Sequence, residues 1–192
     1  MLLSIGGWGS GRFSEMAAND EYRRAFAADC DRVVKEFALD GIDIDWEYPT
    51  SSMANISSSP DDTENFTLLM QDIRAAIGNE KELTLATVAS ARYIDFKAIL
   101  PSVDFVNIMA YDMASAPKHH SALYPSGHSG DITSDGAVTA HLKAGVPPSK
   151  LVMGMPFYGR GGDGYPSFQD YNKVGNTDTQ YTEKWDLSLI HI

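Results

Sequence analysis

Apolar and polar positions alternate strictly over Ile42 to Trp46 of this 192-residue chain, which is the two-residue period of a β-strand. Ile42, Ile44 and Trp46 fall on one face of the strand Gly41 to Glu47, and Asp43, Asp45 and Glu47 on the other. The same kind of reading predicts elements on both sides. Leu2 to Ile5 is a short apolar strand running into Gly6-Gly7. Asp20 caps a helix through Leu39, with Phe26, Val33, Val34 and Phe37 at helical spacing. A Ser-rich loop from Thr50 to Ser59 follows the carboxylate strand. Pro60, Asp61 and Asp62 then open a second helix, which Gly78 closes. Leu83 to Ala89 predicts a strand, and Tyr93 to Leu100 a short helix stopped by Pro101. Val103 to Tyr111 is another strand, almost wholly apolar. A long loop from Asp112 to Thr133 leads to a helix near Ala137 to Ala144, and Pro147-Pro148 precedes a last strand, Leu151 to Met155.

Strand and helix alternate, and the strands are continuous apolar runs, the pattern of a parallel sheet covered by helices. A doubly wound sheet and a (β/α)₈ barrel both fit that pattern. No glycine fingerprint for phosphate opens any helix, which disfavours the nucleotide-binding version. Polar residues gather where strands end: Gly6-Gly7-Trp8, Asp45 and Glu47, Tyr111-Asp112, Tyr158 and Arg160. In a barrel that edge carries the active site. The expected fold class is therefore α/β, a (β/α)₈ TIM barrel.

Three carboxylates on one strand face, about 7 Å apart at each two-residue step, repel one another. They persist where protons are shared or a cation or ligand offsets the charge, and such perturbed groups suit acid–base chemistry. A solvated acidic face would not carry Trp46-Glu47-Tyr48-Pro49 directly after it. A calcium loop needs Gly at its sixth position and Glu at its twelfth. Counting from Asp40 meets Asp45 and Ser51; counting from Asp43 meets Tyr48 and Ala54. The calcium reading fails.

Composition narrows the partners. A net charge of −11 argues against nucleic acid or an anionic membrane surface. No apolar run approaches the ~20 residues of a membrane span. Cys30 is the single cysteine, so no internal disulfide forms. The opening Leu2-Leu3-Ser4-Ile5 reads as a strand rather than a signal peptide, which is expected of a chain lacking its true N-terminus and says nothing against secretion.

The motifs resemble the chitinases of glycoside hydrolase family 18. The signature Asp-x-x-Asp-x-Asp-x-Glu is met by Asp40, Asp43, Asp45 and Glu47, with Trp46, Tyr48 and Pro49 completing its chitinase form. Ser4-Ile5-Gly6-Gly7-Trp8 resembles the motif of the family's third barrel strand, Met109-Ala110-Tyr111-Asp112 that of the sixth, and Met153 to Arg160 that of the seventh. The likeness runs from the first residues to about Arg160. It implies an incomplete barrel at 1–160, without the first two strands and the eighth. Residues 161–192, rich in Gly, Asp and Asn, are expected to be irregular: the start of an insertion domain or an artefactual tail.

The resemblance also implies a retaining reaction without an enzyme nucleophile. Glu47 would protonate the glycosidic oxygen and later deprotonate water. The substrate's acetamido carbonyl would attack the anomeric carbon to give an oxazolinium ion. Asp45 would orient the acetamido N–H and offset the positive charge. Asp43 would share a proton with Asp45, and Tyr111 would hold the acetamido oxygen. Trp8, Tyr48, Met109, Asp112, Tyr158 and Arg160 would line sugar subsites, while Asp40, Ser4, Gly6 and Gly7 would be structural. Chitin or chitooligosaccharide is the implied partner of a secreted, monomeric enzyme that needs no cofactor or metal.

Several residues have plainer readings. Trp8 could be core, but a Trp after Gly-Gly at a strand end is placed to stack on a sugar. Met109 suits packing, and Arg160 a surface ion pair. Adjacent His119 and His120 lack ligand spacing and read as solvated. Asn55-Ile56-Ser57 and Asn65-Phe66-Thr67 are sequons only in a eukaryotic secretory context. A lectin on the same fold is the first functional rival, although such proteins usually lose the acid that Glu47 supplies. An endo-β-N-acetylglucosaminidase acting on N-glycan cores is the second.

Overall fold

The computed structural model describes residues 1–158; Arg160 and the segment 161–192 lie outside them. Five strands form one sheet in chain order: β1 (Leu2–Gly6), β2 (Gly41–Asp45), β3 (Glu82–Val88), β4 (Phe105–Met109) and β5 (Leu151–Met153). β1 pairs with β2 and β2 with β3, both in parallel. Helices α1 (Phe13–Ala17), α2 (Asp20–Glu36), α3 (Asp62–Ile77), α4 (Phe96–Ile99) and α5 (Ser134–Lys143) fall between the strands. This is the repeat of the (β/α)₈ barrel, present in part.

Two compact units share these elements. The first comprises Met1–Thr87, Ala91–Asn107 and Leu142–Val152; the second contains Val88–Ser90, Ile108–His141 and the described residues from Met153 onward. The core of the first unit is where the alternation points. Ile42 and Ile44 are fully buried, and Trp46 nearly so, stacked on Phe13 (centroids 5.4 Å, 16°) and met edge-on by Phe66. Burial of a side chain of this size is worth about 2–3 kcal/mol.

The helices correct some expectations. α2 begins one residue earlier than predicted, with Asn19 as cap: its side chain accepts the Tyr22 N–H at 3.0 Å. Its buried stripe is Arg23, Ala27, Cys30 and Val34, whereas Phe37 is 63% exposed. Arg23 can be buried because Asp20, Asp72 and the Ala17 carbonyl take its guanidinium. Small Ala27 and Cys30 are among the buried residues of α2, a helix that packs against α3. α4 is shorter than predicted and capped by Asp95, whose side chain accepts the Ala98 N–H. β2 ends at Asp45, so Glu47 stands beyond the strand rather than on it. The fully buried Asp62 accepts from Ser14 Oγ (2.7 Å) and from the Thr50 and Ser59 N–H groups (3.1 and 2.7 Å). It thereby anchors the Ser-rich loop that follows Glu47. Among the described residues no helix is long and apolar enough to cross a membrane.

Candidate active site

In the first unit, the parallel register of β1 and β2 sets Ser4 beside Asp43 and Gly6 beside Asp45. Ser4 Oγ donates to Asp43 Oδ2 at 2.7 Å. Asp43 Oδ1 accepts from Thr84 Oγ1 of β3 (2.6 Å) and Asn107 Nδ2 of β4 (3.0 Å). Three other strands thus each supply one donor to a carboxylate only 9% exposed. A buried charge survives when its oxygens are satisfied in this way.

Gly6, at φ 128°, comes so close to β2 that a Cβ would lie 2.0 Å from the Asp45 carbonyl oxygen. The Gly7 N–H donates to that same oxygen at 2.8 Å. Gly6 and Gly7 let the end of β1 lie against the backbone that carries Asp45. Asp40 precedes β2 on the outside. Its backbone N–H donates to the Met1 carbonyl and its carbonyl accepts from Glu82 N–H.

Asp45 differs from Asp43. One of its oxygens, Oδ1, is buried with no hydrogen-bond partner among the described residues. Burial first, then the neighbouring Glu47 and Asp43 carboxylates, push its pKa up to about 7. Asp45 therefore gains and loses a proton near neutral pH. Glu47 follows, joined to Tyr48 by a cis peptide bond. Burial and the Glu47 carboxylate hold the Tyr48 phenol protonated well above its ordinary range. The Tyr48 ring stacks on Tyr93 (5.3 Å, 15°) and meets Trp8 edge-on at 6.4 Å. Trp8 is 60% exposed, which removes it from the core and leaves an aromatic face open.

The second unit carries the remaining described candidates. Met109 ends β4, and Tyr111 and Asp112 follow it, Asp112 with φ 55°. Tyr111 meets Tyr158 edge-on at 6.2 Å. Gly154 makes room for this pair: its N–H donates to the Ile108 carbonyl at 2.8 Å, and a Cβ there would stand 3.0 Å from the Tyr111 ring. His120 corrects the sequence reading. It is 5% exposed, not solvated, and its ring lies 5.3 Å from that of Tyr158. Among the described residues no group of three His, Cys, Asp or Glu is placed to hold a metal.

Sequence reasoning missed Thr84, Asn107, Gly154 and His120. Asn107 left a trace, as the one polar residue of β4. Gly154 stood inside a quoted motif without a role, and Thr84 and His120 left no usable signal.

A family model described as glycosyl hydrolases family 18 matches residues 1–187. The chain belongs to that family. It is 38% identical to chitinase A1 of Niallia circulans over the whole of this chain and 32% of that protein. The chitinase domain of the spore coat protein CotE from Clostridium difficile superimposes with a TM-score of 0.85, at 38% identity over 90% of this chain and 54% of that one. A family 18 N-acetylglucosaminidase from Paenibacillus barengoltzii gives 0.82, at 37% identity over 90% and 60%. These family 18 structures have the TIM barrel that the strand order of this chain repeats in part. The chain spans between about a third and three fifths of these relatives.

Proposed function

We propose that these residues form the central part of a chitinase that cleaves β-1,4 bonds between N-acetylglucosamine units with retention. The observation that carries the reading is Asp45: a half-buried carboxyl between Asp43 and Glu47, pushed up to about 7, with one buried oxygen unsatisfied. Such an oxygen suits an N–H donor that arrives with substrate. The acetamido group of the sugar supplies one. Asp45 orients it so that its carbonyl attacks the anomeric carbon as Glu47 protonates the leaving oxygen. The C–O bond breaks, an oxazolinium ion forms, and Asp45 offsets its charge. Water, deprotonated by Glu47, then opens the ion with the β-configuration kept.

Asp43, tied to three strands, sets the position of Asp45 and shares its proton. Tyr111 holds the acetamido oxygen. Trp8, Tyr48, Met109, Asp112, Tyr158 and Arg160 line the sugar subsites, and the enzyme acts outside the cytoplasm as a monomer. The intact Glu47 favours catalysis over a lectin role. The N-acetylglucosaminidase among the structural neighbours leaves the length of the released product to the assay.

The test is hydrolysis of chitin oligomers by the parent protein, with the anomeric configuration of early product followed by NMR. Glu47→Gln should lower kcat by at least ~10²-fold while binding persists. Retention of more than about a tenth of the activity, or early release of the α-anomer, would refute the assignment. A parallel assay on a glycoprotein separates the N-glycan rival.

A further inference from the structure

We infer that His120 is a positioning residue for the Tyr111–Asp112 corner, acting through its Nδ1 and main-chain carbonyl together with the Ser121 hydroxyl. The inference rests on Tyr111 being the residue that holds the acetamido oxygen. Three hydrogen bonds reach the corner from these two neighbours in the loop. Asp112 N–H donates to His120 Nδ1 at 3.2 Å. Met113 N–H donates to the His120 carbonyl at 2.9 Å. Ser121 Oγ donates to the Ala110 carbonyl at 2.8 Å. The bonded groups lie on both sides of Tyr111, so the peptide units flanking it are fixed before any ligand arrives. Asp112 sits at φ 55°, a conformation that holds only where its surroundings enforce it. The Asp112 N–H accordingly ends in a buried acceptor rather than in water.

The imidazole itself shows what it is kept for. A ring nitrogen that accepts an N–H leaves the proton on the other nitrogen. Neutral His120 therefore carries its proton on Nε2, and Nε2 is buried with no hydrogen-bond partner among the described residues. A side chain 5% exposed with one polar atom unmet is unfavourable as packing alone. What offsets it is the bond at Nδ1. The Asp112 carboxylate lies 3.4 Å from that same nitrogen, which as an acceptor offers it no hydrogen bond, so what Nδ1 sets is the Asp112 backbone. The Tyr158 ring covers the imidazole and also touches Tyr111, closing a cluster of three rings.

Acceptor position distinguishes this role from general packing. Asn at 120 keeps an acceptor on the atom next to Cγ, where Nδ1 stands. Gln moves its amide one carbon outward, and Leu has no acceptor. In the parent protein acting on chitin oligomers, His120→Leu should lower kcat by ~10- to 100-fold, the scale of a small misplacement in an assembled site. His120→Asn should return to within about threefold of the parent, and His120→Gln should not. Ser121→Ala, which removes the bond to the Ala110 carbonyl, should lower kcat less than His120→Leu. Tyr111→Phe is measured beside them. If it leaves turnover unchanged, the role of Tyr111 fails and this inference falls with it. If Tyr111→Phe is impaired but His120→Leu turns over like the parent, or if Asn and Gln behave alike, His120 does not position the corner and the proposed function still stands. Should His120→Leu lose its melting transition, the Asn and Gln pair, both measured for thermal stability, decides.

Discussion

The middle of β2 is held by side chains gripping a side chain, that of Asp43, whereas the corner after β4 is held by a loop gripping backbone. Asp43 takes one donor from each of Ser4, Thr84 and Asn107, on three strands spread over the sequence. The Tyr111–Asp112 corner takes its bonds from His120 and Ser121, within about ten residues along the chain. The chemistry of the held group explains the difference. A buried carboxylate needs several donors at once, and only neighbouring strands bring them to one point. A neutral phenol needs no such shell; it needs its backbone fixed, which a local loop can do. Damage to the first region should therefore appear in stability as well as in turnover, and damage to the second chiefly in turnover.

The broadest way to break this comparison is to ask whether either region survives in the 192-residue chain by itself. β1 and β5 end the sheet order, with Leu3 38% and Val152 44% exposed, and apolar sheet edges template aggregation. The isolated chain is expected to lack chitin-oligomer hydrolysis and a cooperative thermal transition. A sharp melt with turnover near that of the parent would show that both regions hold without further strands.

Asp43→Ala in the parent should have the next largest effect. It strands three donors, and at roughly 1 kcal/mol for each the loss is about 3 kcal/mol in urea denaturation. The His120 variants should cost much less stability for their loss of kcat. If Asp43→Ala proves cheaper than His120→Leu, the contrast between the regions is wrong.

Asp45→Asn sharpens the comparison through pH. The Asp45 carboxyl titrates at about 7 when folded and near its ordinary carboxylate value of ~3.9 when unfolded. Between those values the folded state binds the extra proton, so stability from this group is full below about pH 4 and is lost as pH rises through about 7. Asn does not titrate. Relative to the parent, the variant should gain about 1–2 kcal/mol at pH 8, allowing for screening of the part that faces solvent, and nothing at pH 4. Denaturation curves at the two pH values measure it, and a gain equal at both would remove Asp45 as the titrating group.

Element order, the parallel sheet and the buried face of Ile42, Ile44 and Trp46 were legible in the sequence, because strand period is a local property of the chain. So were the four ordered motifs that carry the family. Periodicity misled around α2, where Arg23 is buried because Asp20 and Asp72 pair with it, and where Phe37, the cap just past the helix, is exposed. Nor could spacing find Thr84 and Asn107 as partners of Asp43, or the burial of His120. Period records which way a side chain points, while its hydrogen-bond partners depend on what lies opposite. Register between strands and the return of a loop set those partners, and both exist only once the chain has folded.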